Sequence, residues 1–435
     1  MLKKIFFNKN LLIIIFLYIL LEGSIRKWIF PGVNFEIIFL RDLLILYSLF
    51  YGTIKRVFLF EQWQEKLLLR FSFIVLFWSI IQITFLDINF FVCLIGLRNY
   101  IVYPWLSLFI YRFLDNQSFI NLIKIILFTI IPISILTTLQ ANLPIDHFIN
   151  LQATYNLDYV TYKNFIKDSY TAFVVSGVPR TTGTFSYFYG HVQYLKFLFP
   201  LVILLFEQSF IEIFSKNKIK FIITICFLIA IIFSGARQVI LYSVLIIFLY
   251  FLLKIIFDNF NKNLKSLILL FFLLILSYLL FPTPFNSMIE RFYVASLSES
   301  TVIRVFQMIH GSNESWENFV FLGNGLGAGS NIASFFFDNT RFMLGEFESD
   351  RMIGEGGLFG IIILLIKFFI SILIMSKTFI FFVKEKFIFP FIFSVYISLQ
   401  LILVQITGQL TTQAITFFSI GLFFYTLKIS RNFKK

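Results

Sequence analysis

Apolar residues in this chain fall into long unbroken runs separated by short polar stretches, the pattern of segments with apolar surroundings on every side. The runs lie at Leu11–Leu21 and near residues 34–53, 67–86, 90–111, 119–140, 185–206, 219–234, 238–257, 266–282, 356–383, 387–406 and 410–427. Most have the roughly 17–25 residues that a bilayer demands of a helix. Lipid offers backbone groups no partners, so the runs predict about twelve membrane-spanning helices. The first run follows Met1-Leu2-Lys3-Lys4 and has the flavour of a signal peptide. No small-x-small cleavage site follows it and apolar runs continue along the chain, so it reads as a retained first helix.

Composition closes the alternatives. Of 435 residues, 59% are apolar and 14% charged, and the mean hydropathy is +0.89. A soluble fold of this size carries about a quarter charged residues and could not hide so much Phe, Ile and Leu. The reading is an all-α polytopic membrane protein, with residues 1–435 a single integral membrane domain. Cys93 and Cys226 lie within apolar runs and suggest no metal site or disulfide framework.

The net charge is +13. In a soluble protein that would raise the question of nucleic acid; here no nucleic-acid partner is expected, because the charge follows the membrane. With the N-terminus in the cytoplasm and twelve alternating spans, short inside segments hold 21 of the 36 Lys and Arg residues and outside segments ten. That asymmetry places both termini inside. Two outside loops are long, at about 141–184 and 283–355. Their Trp, Phe, Gly and acidic residues suggest folded structure, and long loops commonly carry function.

Candidate chemistry concentrates in a few places. Arg41, Asp42 and Arg98 lie inside expected spans, where a charge must face the bundle interior or water. Arg98 reads either as a ligand for an anionic head group or as a structural ion-pair partner of Asp42 or Glu36. Arg41 reads as the same or as an ion-pair partner, with Asp42 or Glu36 the nearby acids. Arg180, in Gly177-Val178-Pro179-Arg180-Thr181-Thr182-Gly183, and Arg237, in Ser234-Gly235-Ala236-Arg237, fall at the expected outer face, at the depth of lipid phosphates. A guanidinium fork there suits a phosphate, although an interfacial anchor would look similar. The segment from Gly345 to Gly360 holds Glu346, Glu348, Asp350, Arg351 and Glu355. On a helix, Glu348, Arg351 and Glu355 share one face. A base beside an arginine suits group transfer, while a solvated helix start is the blander alternative.

Other features weigh less. Gly323-Asn-Gly-Leu-Gly-Ala-Gly329 superficially resembles a dinucleotide loop but lacks a preceding strand, so it reads as backbone turning closely beside a neighbour or substrate. His147, His191 and His310 show no metal spacing. Trp316, Phe319 and Phe321 could stack on a sugar or be buried loop aromatics.

In order, Arg180-Thr-Thr-Gly-Thr-Phe185, Ser234-Gly-Ala-Arg237, Gly323-Asn-Gly-Leu-Gly327 and Glu355-Gly-Gly-Leu-Phe-Gly360 resemble the O-antigen ligase and Wzy-type polymerase superfamily of bacterial envelope glycosyltransferases. The likeness covers roughly residues 170–370, and Glu22-Gly-Ser-Ile-Arg-Lys-Trp-Ile-Phe-Pro31 looks like a segment of some exopolysaccharide polymerases. The resemblance implies a GT-C-like fold in the bacterial inner membrane. It also implies sugar transfer at the periplasmic face without metal or cofactor, from a glycan on undecaprenyl diphosphate. Arg180 and Arg237, with Arg98 as a further candidate, would hold the diphosphate. Ligases carry a His-Asn pair about nine residues before the Glu of the Glu-x-Gly motif, yet no histidine lies between 311 and 435. That departure favours the polymerase branch, with Glu348 or Glu346 as base and Arg351 and Glu355 beside it. A ligase or O-oligosaccharyltransferase is the nearer alternative and a glycolipid flippase the more distant one. A chain-length regulator is left open as a partner alongside lipid-linked glycans and the bilayer.

Overall fold

The computed structural model describes residues 2–31, 34–151, 174–175, 178–207, 213–257, 278–298, 300–330, 333, 345 and 347–432. These residues are overwhelmingly helical; the strands among them are the short antiparallel pair β1 (Val174–Val175) and β2 (Val178–Pro179). Eight helices among the described residues are long and apolar enough to cross a membrane: Glu36–Ile54, Trp63–Leu86, Phe90–Phe113, Asn116–Asn142, Asn217–Ser234, Arg237–Phe257, Leu358–Glu385 and Leu410–Ser430. Phe188–Leu204 and Ile388–Leu403 are apolar but shorter. The first expected run lies within α1 (Leu2–Ser24). The chain is therefore a multi-pass, all-α membrane protein. Most of the expected run at 266–282, and much of the expected loop at 141–184, lie outside the described residues.

The chain divides into two compact units, each made of segments distant in sequence. The first comprises Met1–Asp42, Asn116–Ser298 and Phe381–Ile392. After α1 comes a π-helical turn (Ile25–Ile29), then the start of α2 (Asn34–Ile54). Of the helices numbered α3 to α17 in chain order, this unit holds α6 (Asn116–Phe128), α7 (Ile130–Asn142), α8 (Phe188–Leu204), α9 (Asn217–Ser234), α10 (Arg237–Phe257) and α11 (Pro282–Ser298). Helices α7 and α9 lie side by side, and α8 packs against α6, α9 and α10. A small core of Ala141, Val178, Ile232 and Phe233, with Phe281 and Phe285 packed on it, seats the β hairpin on the helix ends.

The second unit comprises Leu43–Asp115, Glu299–Ile380 and Phe393–Lys435. It holds α3 (Trp63–Leu86), α4 (Phe90–Leu97) and α5 (Tyr103–Phe113), the last two joined by a π-helical stretch at Arg98–Val102. Pro104 removes a backbone donor just there, which a helix accommodates by local unwinding. Within 283–355, the stretch expected to be folded, the described residues form α11 in the first unit. In the second they form α12 (Thr301–His310), α13 (Asn313–Glu317) and most of α14 (Glu348–Gly356). Long α15 (Leu358–Glu385), α16 (Ile388–Leu403) and α17 (Leu410–Asn432) complete the chain, and α17 packs along α5. Val75, Tyr100, Leu326, Met352, Phe359 and Ile363 form a buried core that seats α14.

Candidate functional site

In the first unit the two arginines singled out by the sequence come together. Arg180 leaves β2, and Arg237 opens α10. The tight turn expected at Ser234-Gly-Ala-Arg237 is present: α9 ends on Gly235 in the left-handed conformation (φ +60), which glycine adopts without steric penalty. Between the two turns lies a third arginine, Arg291 of α11, 3% exposed. Its Nη2 donates to the carbonyl of Val178 at 2.9 Å, its Nη1 donates to the carbonyl of Gly235, and Arg237 makes a long bond, 3.4 Å, to the Arg291 carbonyl. The Arg180 guanidinium stacks over Phe188 at 5.0 Å from the ring centre. Nε of Arg180 and Nε of Arg291 are both buried without a hydrogen-bond partner among the described residues.

The three cations feel one another. Arg291 is pushed down to about 10, first by burial and then by Arg180 and Arg237. Arg180 is lowered by burial, with Tyr189 and Tyr187 opposing and Arg237 adding to the effect. Like charges crowded where water is partly excluded raise the energy of the empty site, and an anion lowers it.

The Arg180 turn is held from below. Thr181 donates to the Phe233 carbonyl at 3.2 Å, and its own carbonyl lies 3.1 Å from Nδ1 of His191. Thr182 Oγ1 and the Gly183 carbonyl each accept from Lys27 Nζ at 2.9 Å and from Gln140 Nε2 at 3.2 Å. Gln140 also accepts from the Gly183 N–H at 2.8 Å. Lys27 is fully enclosed and burial pushes it down to about 7. Ser24 donates to the Thr184 carbonyl at 3.1 Å, and a side chain on Gly23 would collide with the backbone at Ser186. Two motifs far apart in sequence, Glu22–Pro31 and Arg180–Phe185, thus dock on each other. His191 serves as a partner of this turn.

The intramembrane charges nearby are paired. Arg41, 1% exposed, lies 2.8 Å from Glu22 and 3.8 Å from Asp42, and Glu22 also faces Arg26 at 3.7 Å. Of the two acids the sequence offered Arg41, Asp42 is a partner, and among the described residues Glu22 lies closer still.

In the second unit, Glu348, Arg351 and Glu355 lie on α14 as expected, all buried. They do not act as one surface. Glu348 accepts from the Thr407 N–H and hydroxyl, both at 3.1 Å, and from Lys367 at 3.2 Å. Asp350 accepts from the Ser312 N–H at 2.6 Å. Glu355 accepts from the backbone N–H groups of Gly327 at 3.1 Å and Gly329 at 2.8 Å, and from the Tyr100 hydroxyl at 3.4 Å. The glycine-rich loop therefore wraps a carboxylate of its own chain. Gly327 (φ +93) has no room for a side chain, since a Cβ would sit 2.6 Å from Gly96 N and the Val92 carbonyl. Nε and Nη1 of Arg351 are buried and unpartnered among the described residues, and Gly408 leaves the space that guanidinium fills. Arg98 donates to Tyr103 at 3.1 Å and to Asn99 at 3.3 Å. Glu346 lies outside the described residues.

Glu355 supports a pH prediction. Burial pushes its carboxyl up to about 7, against the pull of Arg351 and the two N–H groups. Between the ordinary carboxyl value and 7 the folded chain keeps a proton that the unfolded chain has released. Stability is thus highest in acid and falls as pH rises through that window, by about 3 kcal/mol in all. Melting in detergent should fall between pH 5 and pH 8, and Glu355→Gln should flatten the difference; an unchanged slope in that variant contradicts the assignment.

Among the described residues no cluster of three histidines, cysteines or carboxylates is placed to hold a metal ion. No protein-family model, curated protein or solved structure matches this chain.

Proposed function

We propose that this protein is a lipid-linked polysaccharide polymerase of the bacterial inner membrane, with about twelve spans, both termini cytoplasmic and its site at the periplasmic face. The observation that carries the reading is the meeting of Arg180 and Arg237 in the first unit, with buried Arg291 between their turns. A diphosphate on a polyprenyl chain brings dense negative charge to membrane depth, which suits such a cluster better than a neutral sugar does. The basic-residue asymmetry supports the orientation, and the motif order supports the chemistry.

In the proposed reaction, a hydroxyl of one lipid-linked repeat unit attacks the anomeric carbon of a glycan on undecaprenyl diphosphate. The new C–O bond forms as the bond to the phosphate oxygen breaks, and the electron pair leaves on the diphosphate. Arg180 and Arg237 stabilise that charge as it develops. The hydroxyl proton passes to a carboxylate, and the motif order offers Glu348 or Glu346 as that base. Lys367 and Thr407 hold the Glu348 carboxyl in a fixed orientation by hydrogen bonds, as a positioned proton acceptor requires. Glu355 instead organises the glycine loop.

The test is reconstitution in liposomes with a lipid-linked repeat unit. Polymerase activity releases undecaprenyl diphosphate and lengthens the glycan. Movement of lipid between leaflets with no change in glycan length would instead mark a flippase and overturn the proposal. Transfer of a single finished glycan to a distinct acceptor would mark a ligase.

A further inference from the structure

Arg291 sits where both arginine-bearing turns can be held by one side chain. Its forked end donates one N–H to the Val178 carbonyl, two residues before Arg180, and another to the Gly235 carbonyl, two residues before Arg237. Its own carbonyl accepts from the Arg237 guanidinium. These bonds use both terminal nitrogens, and Nε has no partner among the described residues. The remaining geometry agrees: Gly235 has no side chain, and a Cβ there would collide with the Arg291 guanidinium. Val178 belongs to the core under the hairpin, and α11 packs against both strands and against α9 and α10.

We propose that Arg291 is a positioning residue that fixes the spacing of Arg180 and Arg237 by bridging the carbonyls of their two turns. The inference rests on the reading of Arg180 and Arg237 as a diphosphate site. A planar fork can span two carbonyls, whereas the ammonium of lysine is a single point donor on a flexible stem. Charge at position 291 is thus not what matters most; the bridge is. Two variants separate these roles. Arg291→Lys keeps the charge and loses the bridge. Gly235→Ala keeps every charge and displaces the guanidinium from its carbonyl.

The experiment is equilibrium binding of undecaprenyl diphosphate to the full-length protein in nanodiscs, with melting and size-exclusion profiles reporting the folded fraction. Arg291→Lys and Gly235→Ala should each weaken binding about tenfold or more, the scale of losing charged hydrogen bonds. The double variant should bind no worse than the weaker single one, since both break the same bridge. If lysine at 291 prevents folding, Gly235→Ala carries the comparison. Wild-type affinity in a folded Arg291→Lys, or additive losses in the double variant, would overturn the positioning role while leaving the diphosphate site standing. Folded wild-type protein that does not bind undecaprenyl diphosphate would overturn the site itself, and this inference with it.

Discussion

Alanine at Arg180 or at Arg237 should abolish long-chain glycan while leaving the protein folded and in the membrane. Removing one group that stabilises developing charge costs about a hundredfold to a thousandfold in rate, and a polymer multiplies that deficit over every added unit. Stability should move the other way. Arg180 has a buried nitrogen without a partner among the described residues, and its charge depresses Arg291. Relieving that repulsion should hold the melting temperature level or raise it, as expected where a site stores unfavourable charge for function. Product length read by gel, beside membrane abundance and melting of the purified variant, checks both halves. Wild-type chain lengths from both variants would end the mechanism.

Glu22→Ala should have the largest effect on stability. Glu22 is 2% exposed and takes up the charge of Arg41, itself 1% exposed, at 2.8 Å. Deleting one member of a buried pair takes a partner from the other charge and costs up to about 3–5 kcal/mol. Asp42, at 3.8 Å from Arg41, compensates only in part. The damage should spread, because Gly23 and Ser24 beside it pack on the Arg180 turn. Glu22→Gln keeps the shape and an acceptor oxygen and should fall between alanine and wild type. Melting in detergent and folded yield measure this; an alanine variant that melts like wild type contradicts the role.

Which parts of this were legible beforehand follows from where the information lies. Membrane helices are written in continuous apolar runs, so Asn217–Ser234 and Arg237–Phe257 fall within two residues of the runs read for them. The turn between them was legible because Ser-Gly-Ala-Arg leaves no room for anything longer, and glycine at 235 suits a left-handed cap. The helical register of Glu348, Arg351 and Glu355 follows from spacing alone. Partners do not. Arg291 bridges backbone carbonyls, which every residue carries, so nothing beside it in the sequence marks its task. Glu22 and Arg41 meet across two helices, whereas short-range reasoning offered Asp42 and Glu36. The glycines predict backbone turning closely beside a neighbour, and only the fold shows that the loop encloses the Glu355 carboxyl.

The central claim, that the arginine cluster of the first unit receives a polyprenyl diphosphate, is tested most directly by photo-crosslinking. An undecaprenyl diphosphate analogue with a photoreactive group next to the diphosphate would be bound to the protein in nanodiscs, irradiated, and the labelled peptides identified by mass spectrometry. The account predicts label on the peptides around Arg180 and Arg237, competed by unlabelled undecaprenyl diphosphate and lost in the Arg180→Ala/Arg237→Ala double variant. Competable label that lies elsewhere on the chain and persists in the double variant would contradict it.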